Sequence, residues 1–414
     1  MNFSISRWFR EVREAAMRPT VARKERRRDH AGLPPTDPGA EVVLHALLEW
    51  LSLAQDRSAS ADGGVARTFD LLRGWESSYP ETTGYIVPTF IDYAQRHQRH
   101  NALERARRMA DWLVAIQLPG GGFQGGRIDS LPVVPVTFNT GQILIGLAAA
   151  ETAFGGYRGA MIKAADWLVA TQDADGCWRR HPTPFAAAGE KEYETHVSWG
   201  LFEAARVEPG RGYGEAGLAN LRWALSSQGS DGWLSKCCLD DPEQPLTHTI
   251  GYALRGVLEG HRYRADPVML DAARRIADGL LLAAEPDGRL PGRLARGWKP
   301  TVDWVCLTGT AQVATCWFIL YEFTGDRRYL DAGLRANAFV RRTVHLDGPV
   351  NLRGGVKGSF PVDGAYGRYQ LLNWAAKFLA DSLMMELDMR QGHTALTRET
   401  THDVRGSMRA QIAN

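Results

Sequence analysis

Apolar residues along this chain fall into two alternating kinds of segment. In the first kind they recur at three- and four-residue steps, as at Met161, Ile162, Ala165, Leu168 and Val169, which marks one apolar face of a helix. Such segments cover about residues 40–55, 101–117, 157–172, 212–228, 266–284 and 326–344, with charges on the opposite face. In the second kind almost every side is apolar. These segments are TTGYIVPTFIDYA from Thr82, VTFNTGQILIGLAAA from Val136, ETHVSWGLFEAAR from Glu194, LTHTIGYALRGVLEG from Leu246, LTGTAQVATCWFILYEF from Leu307 and GRYQLLNWAAKFLADSLMMEL from Gly367. A helix that is apolar all round belongs inside a larger structure.

The amphipathic segments end in a recurring block with a period of about 55 residues, which signals one supersecondary unit stacked on itself. The copies read ADWLVAIQLPGGGF from Ala110, ADWLVATQDADGCW from Ala165, LRWALSSQGSDGWL from Leu221 and ADGLLLAAEPDGRL from Ala277, with a degraded copy from Asn337. Trp112, Trp167 and Trp223 recur, and Gly279 replaces them in the fourth copy. Gln117, Gln172 and Gln228 recur before a Gly-Gly or Asp-Gly turn, where glycine ends the helix by accepting positive φ. Six inner and six outer helices, joined by short connections, predict an all-α (α/α)6 toroid over residues 40–390. Residues 1–39 read as a basic extension, flexible and Pro-rich over 20–40, and 391–414 as a C-terminal tail.

Bulk properties narrow the function classes. The 414 residues carry a net charge of +2, which gives no whole-molecule field for nucleic acid. No apolar run is long enough to span a bilayer. The first residues lack the apolar core of a signal peptide. They read instead as a basic amphipathic helix, with Ile5, Trp8, Phe9, Val12 and Ala16 on one face among Arg7, Arg10 and Arg13. Such a helix either packs on the protein body or touches a membrane surface. Five cysteines without a CxxC suit neither a disulfide framework nor a zinc ribbon. The expected setting is therefore cytoplasmic, with a peripheral contact to the inner membrane as the variant reading.

The W…Q…DGxW blocks resemble the repeats of squalene cyclases and protein prenyltransferase β-subunits. The six-hairpin count equally resembles the six-hairpin glycosidase superfamily, which includes unsaturated glucuronyl hydrolases and relatives of toroidal polysaccharide lyases and epimerases. The resemblance covers roughly residues 40 to 390. It implies architecture, because a fold does not fix chemistry. The terpene and prenyl reading lacks its motifs. No DxDD occurs, and Asp303 and Cys306 are three apart with His248 before them, unlike the Asp-x-Cys and later His of the prenyltransferases. Neither a metal site nor a cofactor is expected.

In such a toroid the funnel opens where the inner helices begin, and helix N-termini favour anionic groups there. Threonines at similar places in successive units (Thr83, Thr140, Thr195, Thr247 or Thr249, Thr308) read as N-caps. Less repetitive polar residues at the same starts are the functional candidates. Glycoside hydrolysis needs two carboxyl groups across the scissile bond. Glu194 with Asp303 is the first pair, then Glu81 with Glu194, with Glu76 as a further carboxylate. A lyase or uronate epimerase needs a base, a carboxylate neutraliser and an acid. His196, His248, Tyr252, Asn139, Tyr366 and Arg368 offer those groups, and the toroidal lyases imply Asn, His and Tyr or Arg in these roles. Tyr79, Tyr85, Gln142, Trp199, Trp304 and Tyr369 are candidates to contact a sugar. The long segment 354–369 reads as a lid over the funnel.

The expected function is a carbohydrate-active enzyme on an acidic or complex glycan, with paired-carboxylate hydrolysis ahead of lyase or epimerase action. A non-catalytic glycan-binding or scaffolding toroid and a terpene cyclase-like enzyme complete the alternatives.

Overall fold

The computed structural model describes residues 19–392. Thirteen α-helices lie within them. The helix α1 (Thr20–His30) precedes six outer helices: α2 (Ala40–Asp56), α4 (His100–Ala115), α6 (Arg158–Thr171), α8 (Tyr213–Leu225), α10 (Pro267–Ala283) and α12 (Arg327–Arg341). Six inner helices alternate with them: α3 (Pro80–His97), α5 (Thr137–Phe154), α7 (Thr195–Val207), α9 (Thr247–Tyr263), α11 (Leu307–Thr324) and α13 (Asn373–Arg390). Each inner helix packs against the next, and α13 packs against α3, so the inner ring closes. The first outer helix, α2, leans on the last inner helix, α13. This is the (α/α)6 toroid that the two kinds of apolar segment predict.

The connections are unequal. Inner helices pass to outer helices through short links, such as 98–99 and 325–326. Outer helices return to inner ones through long ones: 57–79, 116–136, 172–194, 226–246, 284–306 and 342–372. The Asp-Gly turn thus ends the outer helix, but a loop, not the next helix, follows it. All six long loops collect on the face where inner helices begin. Short strands stitch them together. β1 (Thr68–Asp70) pairs with β2 (Gly74–Trp75) and with β7 (Gln370–Leu372), which ties the first loop to the last. β3 (Leu294–Ala295) pairs with β4 (Lys299–Pro300), and β5 (Val305–Cys306) with β6 (Ser359–Phe360).

The repeated residues are scaffold. Gln172 Nε2 donates to Gly176 O and to Ala216 O of the next outer helix, both at 3.0 Å. Gln117 makes the same pair of bonds to Gly121 and Ala160, and Gln228 to Gly232 and Ala272. Each glutamine therefore holds its own turn and staples it to the neighbouring unit. Gly176 has φ +94°, and a Cβ there would meet Ala219 O at 2.5 Å, so the turn needs glycine twice over. In the fourth unit a Cβ on Gly279 already lies 1.9 Å from Trp298. The indole that the repeat lacks at Gly279 arrives from the loop instead, as Trp298, whose Nε1 donates to Asp231 O at 3.0 Å.

Three expectations change. The segment 20–40 is not a flexible leader throughout, because α1 is docked on the loop 342–372. Buried Lys357 donates to Glu25 at 2.8 Å and to Asp29 at 2.5 Å, and Arg26 pairs with Asp363 at 2.6 Å. The proposed lid 354–369 is likewise stitched in place by β5–β6 pairing and by these contacts with α1. The threonines are not N-caps. Thr83 Oγ1 accepts from Val65 N, and Thr140 Oγ1 from Phe123 N, so first-turn hydroxyls hold the incoming loops rather than the helix ends.

All five cysteines are buried and unpaired. Among the described residues no helix is long and apolar enough to cross a membrane. The amphipathic helix expected over the first residues lies outside the described residues, as does most of the C-terminal tail.

Candidate active site

The long loops and the first turns of the inner helices enclose a cavity of about 760 Å³, counting its open mouth. Seven of the expected residues line it: Tyr79, Glu81, Tyr85, Asn139, His248, Tyr252 and Tyr366. They come from three inner helices and two loops, so only ring closure brings them together.

Glu81 sits in the first turn of α3 with its carboxyl buried. Burial pushes it up to about 7, against a hydrogen bond from the Tyr79 hydroxyl and the nearby charge of Arg67. At neutral pH it is divided between acid and carboxylate, which is the condition for moving a proton in either direction.

His248 opens α9. Burial pushes its imidazole down to about 4, so it is neutral across the physiological range. Its Nδ1 lies 2.6 Å from Gln312 Oε1. An amide oxygen can only accept, so Nδ1 carries the proton and Nε2 keeps the lone pair. His196 repeats the arrangement one helix away, with Nδ1 at 2.6 Å from Gln142 Oε1. Its Nε2 is buried with no hydrogen-bond partner among the described residues. Burial and then the charges of Arg255 and Lys377 keep this ring neutral as well.

Tyr252 stands between the two histidines, 4.4 Å from His248 and 4.5 Å from His196 between ring centroids. Burial and the charge of Glu81 raise its hydroxyl well above the usual range, so it remains a donor. Its oxygen is 3.4 Å from that of Tyr85. Asn139 contributes a buried Nδ2 that has no partner among the described residues. A buried amide donor left open at a cavity wall is costly unless a ligand completes it.

Other candidates lie elsewhere. Asp303 is exposed and does not line the cavity, so the pair Glu194 with Asp303 does not face one bond. Glu194 is buried beside a second cavity lined by Trp178, Pro182 and Lys191. Burial pushes it up to about 8, and its Oε2 has no partner among the described residues. Glu76 is held by Arg67 and Arg127 at 3.2 and 3.3 Å. Trp199 donates to Glu203 and lies under the Arg255 guanidinium. Trp304 packs in a small cluster with Leu246 and Cys306. Arg368 is exposed, and Tyr369 is buried at φ +60° with its backbone bonded to Leu71 and Val362. Gln142 and its partner His196 do not line the cavity.

The cavity also holds residues outside that set: Arg67, Phe138, Tyr193 and Trp374 among them. Phe138 adjoins Asn139 and was within reach of the same signal. Trp374 lies in the first turn of α13, later than the polar cluster around Tyr366 suggests. Its Nε1 donates to the Tyr366 hydroxyl at 2.8 Å. Arg67 comes from a loop with no periodicity to place it.

The fold defines this chain as an (α/α)6 toroid of the six-hairpin kind. Its architecture is similar to that of an unsaturated glucuronyl hydrolase specific for heparin, with a TM-score of 0.69 at 14% identity over 85% of this chain and 99% of that one. It is similar too to cellobiose 2-epimerase from Bacillus thermoamylovorans (TM-score 0.64, 12% identity, 82% and 98% covered). A D-mannose isomerase aligns with a TM-score of 0.67 at 11% identity over 86% and 99%. No family profile and no curated protein matches the sequence.

Proposed function

We propose that this chain is a carbohydrate-processing enzyme that moves a proton at a sugar carbon, in the manner of an epimerase or a lyase. The observation that carries this reading is the composition of the funnel cavity. Its lining brings together one carboxyl, Glu81, with neutral His248, Tyr252 and Asn139, and with Arg67. Paired-carboxylate hydrolysis asks for two carboxyl groups across one bond. Neither Glu194 nor Asp303 lines this cavity, which is why the preference turns from hydrolysis to proton transfer.

His248 Nε2 is the base. It takes the proton from a carbon next to a carbonyl or carboxyl group, and the C–H electron pair moves onto that group's oxygen. The Asn139 amide and Arg67 stabilise the oxyanion that forms. Glu81 or Tyr252 then supplies a proton. In an epimerase it returns to the carbon from the other face. In a lyase it goes to the departing oxygen as the carbon–carbon double bond forms. The tyrosines, Phe138 and Trp374 give apolar faces against which a sugar ring stacks. The names of the fold neighbours, which act on glucuronyl groups, cellobiose and mannose, support a saccharide as the substrate class.

The test is incubation with a panel of free sugars, disaccharides and uronate-containing glycans in deuterium oxide. Deuterium entering a ring carbon marks epimerisation, and ultraviolet absorbance from an unsaturated product marks elimination. New reducing ends without either would restore hydrolysis. Loss of the signal in His248→Ala is expected, and full activity in that variant would remove His248 from the site.

A further inference from the structure

A second chemical cluster lies on the face opposite the funnel, where α2 begins and α3 ends. Glu41 and His45 stand one turn apart on α2, and His97 is the last residue of α3. Glu41 Oε1 is 3.2 Å from His45 Nε2 and 3.6 Å from His97 Nδ1. All three potential ligand atoms lie within 4.8 Å of one another, and among the described residues this is the one such group of histidine, cysteine and acidic side chains.

The two distances from Glu41 match those between neighbouring ligands of a metal. Zinc binds nitrogen and carboxylate oxygen at about 2.0–2.2 Å, so neighbouring ligands in a tetrahedral site stand about 3.3 Å apart. The His45 ring is also oriented from behind, because its Nδ1 lies 2.6 Å from the Tyr93 hydroxyl. With the proton on Nδ1 donated to Tyr93, Nε2 presents its lone pair toward Glu41. Metal-bound histidines characteristically have such a partner on the far nitrogen. The Tyr93 ring lies 4.7 Å from that of His97, so one side chain supports both imidazoles.

We propose that Glu41, His45 and His97 bind a divalent transition-metal ion of the zinc class, with a fourth position open to water. The ion staples the first outer helix to the first inner helix across the loop 57–79. The site is separate from the funnel and stands whether or not the cavity processes sugars.

The experiment is zinc titration of the tag-free full chain in competition with a chromophoric chelator, beside Glu41→Gln, His45→Ala, His97→Ala and Tyr93→Phe. One equivalent is expected in the wild type, weakened by about tenfold or more in each ligand variant and about tenfold in Tyr93→Phe. At a fixed zinc concentration the rise in Tm is largest in the wild type and smaller in every variant. No bound equivalent, or one that survives all three ligand substitutions, overturns the proposal. If a variant fails to fold, zinc-edge X-ray absorption of the loaded wild type decides. Two imidazoles with oxygen donors support the site, and sulfur donors or a lack of imidazole overturn it.

Discussion

His248 Nδ1 lies 2.6 Å from the side-chain oxygen of Gln312, one inner helix further round the ring. That bond selects the tautomer that leaves Nε2 as acceptor. Replacing Gln312 by Leu removes the selection without touching the cavity wall. We expect kcat to fall by about 10–100-fold with KM little changed, the cost typical of losing a histidine's orienting partner. His248→Ala is expected to fall by about 100-fold or more. Steady-state kinetics on both variants checks the difference, and an unaffected Gln312→Leu enzyme would show that the tautomer does not matter.

The pH profile follows from two cavity groups. His248 is a base only above about 4, and Glu81 is an acid only below about 7. The profile of kcat/KM should therefore rise through the lower value, hold on the acid side of neutrality and fall above the upper one. The alkaline limb is expected to vanish from whatever activity Glu81→Gln retains. A wild-type profile still rising at pH 9 would contradict the assignment of Glu81 as the acid.

Glu194 makes a stability prediction with a definite sign. Its folded value, about 8, is above that of an ordinary glutamate, so the folded state holds its proton more tightly. Stability from this group is therefore present at low pH and declines as pH rises from about 5 to about 8. The size is on the order of 3 kcal/mol across that window. His248 works in the opposite direction between about 4 and 6.5, and Glu81 in the same direction up to about 7, so only comparison with Glu194→Gln separates the share of Glu194. Urea denaturation at pH 6.5 and 8 should show the wild type losing stability and Glu194→Gln losing less. Equal losses would mean Glu194 titrates normally.

The repeated glutamines should matter to stability alone. Gln172→Ala removes two hydrogen bonds at a unit interface, of which only the one to Gly176 O is backed up by Asn220 Nδ2, at a cost of about 1–3 kcal/mol. We expect a lower denaturation midpoint with kcat/KM intact. A variant that lost activity at unchanged stability would give the repeat a functional role.

The two kinds of apolar segment, the period of the Trp–Gln–Gly blocks and their count were enough to determine a closed ring of twelve helices. Periodicity is a local property, and a stacked repeat turns local pattern into global architecture. The same logic separated scaffold from candidates: Gln117, Gln172 and Gln228 recur and staple units, whereas Glu81, His248 and Tyr252 do not recur and meet in the cavity. Two things were decided only in three dimensions. One is which starts face one another, since Asp303 is exposed while Glu81, with as little local signal, is enclosed. The other is the contribution of the long loops, which carry Arg67 into the site and Trp298 against Gly279. A loop has no period from which to infer direction, and a side chain's protonation depends on burial by elements distant in sequence. Both are settled when the ring closes.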